Sequence, residues 1–216
     1  MSDQPLSPTA PLIIQRGAED YQITFEAMRS FTDTRDATTP DELWIVEHPP
    51  VFTLGLGADR SHVLAPHDIP LIQTDRGGEV TYHGPGQIVG YPIIDLRAWK
   101  RDVVAFVRGI EEVVIETLRH FGIEGRRDPG ATGVWTPQGK VCAIGVHISR
   151  WVSTHGFALN WTTDLEYFRY IVPCGLARPV TSMERLGVRV GREQIHHVLV
   201  EEFARVFSYE MAPVSA

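Results

Sequence analysis

The sequence predicts an α+β fold, a mixed and mostly antiparallel sheet with packed helices. Three observations carry this. Strand-like runs come in clusters, whereas a doubly wound parallel sheet would alternate strands with helices one by one. Three segments, near the start, middle and end of the chain, carry apolar residues at helical spacing. Hydrophobic residues make up 43% of the 216 and charged residues 22%, enough apolar side chain to bury a core.

Taken in order, residues 1–11 read as a flexible N-terminal tail, with Pro5, Pro8 and Pro11 and few apolar anchors. From 12 to 216 no repeat or low-complexity linker interrupts the chain, so a single domain is expected there. A helix is expected over about 18–35, where Tyr21, Phe25, Met28 and Phe31 recur on one face. LWIVEH, from Leu43, reads as a short strand stopped by Pro49 and Pro50. VFTLGLG is β-rich and then broken by glycine. EVTYHGPGQIVGYPIIDL alternates β-formers with Gly and Pro, which suggests strands joined by a tight loop. The clearest helix spans about 102–121, with Val103, Phe106, Ile110, Val113, Val114 and Leu118 on a wide apolar face and Gly122 as its stop. GVW from Gly133, KVCAIGVHI from Lys140 and HGFALNWTT from His155 are strand candidates, the first two joined by the turn PQG. A last helix is expected over about 192–209, burying Ile195, Val198, Leu199, Phe203 and Val206.

Composition narrows the function. A net charge of -7 argues against broad attraction to nucleic acid. No apolar run reaches the roughly 18 residues of a membrane span. The opening MSDQPLSPTAPL lacks the basic and apolar regions of a signal peptide, so a cytoplasmic protein is expected. Two cysteines, Cys142 and Cys174, make neither a disulfide framework nor a zinc knuckle. Of 20 basic residues only Lys100 and Lys140 are lysines.

Four features could carry chemistry. RGGEVTYHGPGQ, residues 76–87, places four glycines beside Arg76, Tyr82, His83 and Gln87. Such a stretch is a tight hairpin corner or a binding loop; it lacks both the P-loop and the dinucleotide fingerprint. Cys174, between Pro173 and Gly175, sits on a constrained turn that can present a thiol and leave the Gly175 N–H for an oxyanion. Cys142, inside an apolar strand, reads as inert packing. Lys140 opens a strand, where a solvated edge charge is the default, but a lysine kept among so many arginines can lose a proton as arginine cannot. The histidines lack metal-site spacing: His196 and His197 read as surface residues, and His83 and His155 as polar pocket residues.

Together, RGGEVTYHGPGQIVGYPIIDL, GKVCAIGVHI, HGFALN and PCGL, in that order over about 43–188, resemble the lipoyl(octanoyl) transferases of lipoate biosynthesis. Glu79 stands where that family often has Gln or Asp, and Phe157 where Leu is frequent. The resemblance implies a fold similar to the catalytic domain of biotin and lipoate protein ligases. It implies that an octanoyl group passes from octanoyl-acyl carrier protein to a lysine on a lipoyl domain. The acceptors implied are the E2 subunits of 2-oxoacid dehydrogenases and the glycine cleavage H protein. Cys174 would carry the acyl thioester and Lys140 would tune it, with no cofactor. Substrate contacts carry over to Arg76, Gly77, Gly78, Glu79, Val80, Thr81, Tyr82 and His83, and to Ala143, Ile144, Gly145, Gly156, Phe157 and Ala158. Whether Lys140 acts as a neutral base or as an ammonium is open at this point. Acidic partners would call for a local basic patch, for which Arg126, Arg127, Arg150, Arg178, Arg185, Arg189 and Arg192 are candidates. The competing readings are an ATP-dependent ligase on the same fold, a catalytically dead binding module and a cysteine hydrolase.

Overall fold

The computed structural model describes residues 10–172 and 178–209. The elements run β1 (Leu12–Ala18), α1 (Tyr21–Thr34), β2 (Glu42–Glu47), β3 (Val51–Leu54), β4 (Leu71–Gln73), β5 (Val80–His83) and β6 (Gln87–Ile93). Then come α2 (Leu96–Trp99), α3 (Val103–His120), β7 (Arg126–Asp128), β8 (Ala131–Thr136), β9 (Gly139–Ser149), β10 (Val152–Asn160) and α4 (Arg192–Phe207). A 3-10 turn at Leu165–Tyr170 precedes the final helix.

Seven strands form the main sheet in the order β1-β2-β6-β10-β9-β8-β7, and β4-β3-β5 form a small one. Among the described residues, the strand pairs β1–β2 and β3–β4 run parallel and the other strand pairs antiparallel. The sheet is therefore mixed and mostly antiparallel, as the clustered strands require.

Each long helix follows from its sequence. Asp20 caps α1 by accepting from the Gln22 and Ile23 N–H groups, so the helix begins at Tyr21, not at residue 18. Asp102 caps α3 in the same way through Ala105, and Gly122 leaves it at φ 76°. In α4 the Gln194 carboxamide accepts the Gly191 N–H. The strand missed by pattern reading is β1. It is half-exposed at the sheet edge, so its residues show no alternation, and pairing with β2 makes it a strand. The same holds for the three-residue β4 and β7, and the one-turn α2, capped by Asp95, is too short to show a helical stripe. β10 begins at Val152, three residues before the expected start, and ends at Asn160, short of the WTT run.

Two cores use opposite faces of the main sheet. Leu43, Ile45, Ile88, Phe157 and Leu159 pack against α3 and α4. Trp44, Val46, Val89, Tyr91 and Ala158 face α1, through Tyr21, Phe25 and Met28. A third cluster, with Phe52, Val80, Tyr82 and Phe168, joins the small sheet to the 3-10 turn. Among the described residues, no helix is long and apolar enough to cross a membrane.

Candidate active site

Strand period sets the floor of the site. Side chains alternate between faces, and the β10 register pairs Ala158 with both Val89 of β6 and Ala143 of β9. Gly156 pairs with Gly145 one step along. The α1-facing surface thus carries Val89, Ala158 and Ala143 beside a pair of glycines, small side chains that leave room above this part of the sheet. A cavity of about 180 Å³ lies over them. Arg76, Gly78, Glu79, Val80 and Thr81 wall one side, Tyr21 and Tyr91 another, and Gly130, Ala131, Thr132 and Lys140 a third.

Glycine lets the roof come down onto the floor. A Cβ at Gly145 would lie 2.8 Å from the Gly77 carbonyl oxygen, and one at Gly55 would lie 2.2 Å from that of Gly78. The Gly77 N–H donates to Val146 O at 2.9 Å, which fastens the loop to β9. Arg76 is 7% exposed, and its guanidinium donates to Thr53 O at 2.7 Å, Thr53 Oγ1 at 2.9 Å and Gly77 O at 3.0 Å. Its charge-assisted bonds hold the loop in place.

Behind the cavity lies a buried polar layer whose proton directions follow from its partners. His155 Nε2 is 2.6 Å from Asp75 Oδ1, and an ionised carboxylate only accepts. Nε2 therefore carries the hydrogen, and Nδ1 can accept from Tyr21 OH at 3.5 Å. Burial holds the His155 pKa below its usual range, and the hydrogen bond from His155 lowers that of Asp75, so a neutral ring faces a carboxylate. His48 Nδ1 donates to Glu19 O at 2.7 Å and its Nε2 accepts from Tyr91 OH at 2.8 Å. Burial brings the His48 pKa down to about 4. His83 is also held well below its ordinary value by burial. His155 takes φ 57° within β10, a left-handed conformation that costs a non-glycine residue about 1–3 kcal/mol. The Asp75 bond and the neighbouring Phe25 ring, 5.3 Å away, oppose that strain.

A hydrogen-bond chain joins the loop to the Lys140 strand. Arg76 donates to Thr53, whose hydroxyl donates to His83 Nε2 at 3.4 Å. His83 Nδ1 donates to Gln87 Oε1 at 2.8 Å, Gln87 Nε2 to Asn160 Oδ1 at 2.9 Å, and Asn160 Nδ2 to Thr181 O at 3.0 Å. Thr181 N–H in turn donates to Lys140 O, and Lys140 N–H to Pro179 O, both at 2.9 Å. Lys140 is only 6% exposed. Its Nζ donates to Thr132 O at 3.0 Å and sits 4.7 Å from the Trp135 ring centre. The default of a solvated edge lysine is thereby overturned: the β8–β9 pairing folds the strand start under residues 179–181.

Residues 20–204 match the family described as the lipoyl protein ligase A/B catalytic domain. The chain belongs to that family. A Solibacter usitatus protein named octanoyltransferase is 51% identical over 206 residues, 92% of this chain and 94% of the relative. One of the same name from Gloeobacter violaceus is 50% identical over 205 residues, 94% of this chain and 92% of the relative. In fold, the chain is similar to lipoate-protein ligase A solved with ATP, with a TM-score of 0.77 and 14% identity over 94% of this chain and 88% of the other. An Aquifex aeolicus biotin protein ligase gives 0.57 and 9% identity over 91% of this chain and 70% of its own.

The residues that the family resemblance picks out gather at this cavity with instructive exceptions. Arg76, Gly78, Glu79, Val80, Thr81, His83, Lys140, Ala143, Ile144, Gly145, Gly156, Phe157 and Ala158 all border it. Gly77 does not border it and instead fastens the loop. The Tyr82 side chain points to the third core, stacked on Tyr167 at 4.7 Å. The Glu79 carboxylate reaches outward to the Asp59 N–H and His62 Nδ1, both at 3.2 Å. The Phe157 ring belongs to the α3–α4 core and covers Gly90, where a Cβ would lie 2.2 Å from it. Cys174 lies outside the described residues. Cys142 is fully buried, and burial pushes its thiol up to about 12, so it supplies no thiolate.

Sequence reading missed Tyr21, Val89 and Tyr91 as cavity residues, because each also fits the core stripe of its element. His196 is a correction: it is 5% exposed, accepts from Arg192 Nε at 3.1 Å, and only His197 faces outward. Several arginines expected in a docking patch hold acids of this chain. Arg127 pairs with Glu111 and Glu112, Arg178 with Asp128, and Arg150 with Asp33. Among the described residues no group of three His, Cys, Asp or Glu could hold a metal ion.

Proposed function

We propose that the chain moves an octanoyl group from the thioester of acyl carrier protein to a lysine of lipoyl domains, through a Cys174 thioester. Its octanoyltransferase activity rests on relatives of that name at about half identity over nearly the whole chain. The observation that carries the chemistry is the meeting of Lys140, the small-residue floor and the Arg76 loop at one cavity.

In the first half-reaction Cys174 sulfur attacks the thioester carbonyl carbon, and the bond from that carbon to the carrier sulfur breaks. In the second, the acceptor lysine amine attacks the acyl-enzyme and the Cys174–acyl bond breaks. Cys174 and Lys140 share one dissociable proton. It passes to the departing carrier sulfur in the first half and is regained from the incoming amine in the second. Thioester-to-thioester exchange is nearly balanced and amide formation is downhill, so no nucleotide is required. The acyl tail lies over Ala143 and Ala158, each buried methylene contributing about 0.8 kcal/mol. The acceptors are lipoyl domains of 2-oxoacid dehydrogenase E2 subunits and the glycine cleavage H protein.

Purified chain mixed with octanoyl-carrier protein and a lipoyl domain is expected to octanoylate the domain at the same rate with and without ATP. Octanoylation from free octanoate that needs ATP, with none from the carrier, would instead establish the ligase reading that the fold keeps in play.

A further inference from the structure

We propose that Tyr21 and Tyr91, with Val89 in front of them, form an end wall that sets the longest acyl chain the enzyme accepts. The inference rests on the octanoyl-transfer reading above and assigns its length limit to particular side chains.

The cavity runs across the strands rather than along them. Its lining passes from Thr132 on β8 through Ala143 on β9 and Ala158 on β10 to Val89 and Tyr91 on β6. These are neighbouring strands in the main sheet, so the path covers three inter-strand spacings, roughly 14 Å. Lys140 Nζ, on Thr132 O, marks the reacting end. An extended octanoyl chain spans seven C–C bonds of about 1.5 Å, roughly 9 Å along its zigzag. A carbonyl held one strand spacing in from Thr132 therefore brings its terminal methyl to β6, against Val89 and the two tyrosines.

That end is built to stay put. Tyr21 is 2% exposed and Tyr91 3%. The Tyr91 hydroxyl is turned to His48 Nε2 at 2.8 Å, and the Tyr21 hydroxyl lies 3.5 Å from His155 Nδ1. The Tyr21 ring stacks on His83 at 5.5 Å and meets His48 edge-on at 5.0 Å. With their hydroxyls engaged behind them, the rings offer carbon to the tail. A longer chain could pass only by separating these buried polar groups from their partners, which is costly. Shorter chains leave cavity unfilled and lose roughly fourfold per methylene. Both limits are thus set by one wall.

The test measures kcat/KM of the full chain with hexanoyl, octanoyl, decanoyl and dodecanoyl carrier protein as donors and a lipoyl domain as acceptor. Tyr21→Ala is expected to raise the decanoyl-to-octanoyl ratio about tenfold. Val89→Leu, one methylene larger on a buried strand, is expected to lower the octanoyl-to-hexanoyl ratio about fourfold. If Tyr21→Ala does not fold, Val89→Leu decides the matter alone. Either ratio unchanged in a folded variant overturns the wall. A wild-type chain that transfers no acyl group of any length is a different result, and overturns the transfer reading instead.

Discussion

Strands β6, β10 and β9 do opposite work on their two faces. Toward α3 and α4 they present Ile88, Phe157, Leu159 and Cys142, closed into a core. Toward α1 the alternate positions carry Val89, Ala158, Ala143 and the Gly145–Gly156 pair, which leave a cavity. The difference shows how a sheet makes a pocket without a missing element: small residues on every second position do it, while the intervening residues keep the strands anchored. Cys142 and Lys140, two residues apart across the irregularity in the β8–β9 register, also end in different surroundings. The thiol is sealed in the core and its pKa is raised to about 12, whereas the amine reaches the cavity wall.

The strongest way to break this comparison is to truncate one residue on each face. Phe157→Ala is expected to cost about 3–5 kcal/mol of stability in urea unfolding, because the α3–α4 core cannot close over the missing ring. Ala143→Gly, one residue from contact with that core, is expected to cost only roughly 0.5–1 kcal/mol. Equal costs would mean that the cavity face is packed as a core.

A somewhat smaller effect sharpens the account of the polar layer behind the cavity. His48 has a folded pKa of about 4, set by burial, against about 6.5 unfolded. The unfolded chain binds the proton first as pH falls. The stability from neutral His48 is therefore intact above about pH 6.5 and is lost progressively toward pH 4, up to about 3 kcal/mol. His83 and His155 shift in the same direction for the same reason. Thermal melts from pH 7 to 4 should fall through this window, and His48→Gln should flatten the slope. An unchanged slope in the variant would remove His48 from the layer.

Much of this was legible in the sequence, for identifiable reasons. The α1 and α3 stripes, the PQG hairpin and the glycine-dense stretch from Arg76 are local patterns, and local patterns survive folding. The half-exposed β1 and the three-residue β4 and β7 were not legible, since only their partners make them strands. At the site, residue type marked Lys140 and Arg76, but burial was hidden: the start of β9 reads as an edge until residues 179–181 cover it. Tyr82 and Phe157 border the right motif and still turn their side chains to cores, because neighbouring strand residues face opposite ways. Tyr21 and Tyr91 failed in the other direction, as core tyrosines whose ring faces also line a cavity.

The central claim is that one thiol, Cys174, carries the acyl group while Cys142 stays inert. Intact-mass measurement of the full chain after mixing with octanoyl-carrier protein tests it most directly. The account predicts a single added octanoyl group on the wild type, mapped to Cys174, its formation slowed about 10²–10⁴-fold in Lys140→Ala and abolished in Cys174→Ala. A stable octanoyl adduct on Cys174→Ala, or one mapped to Cys142, would contradict it.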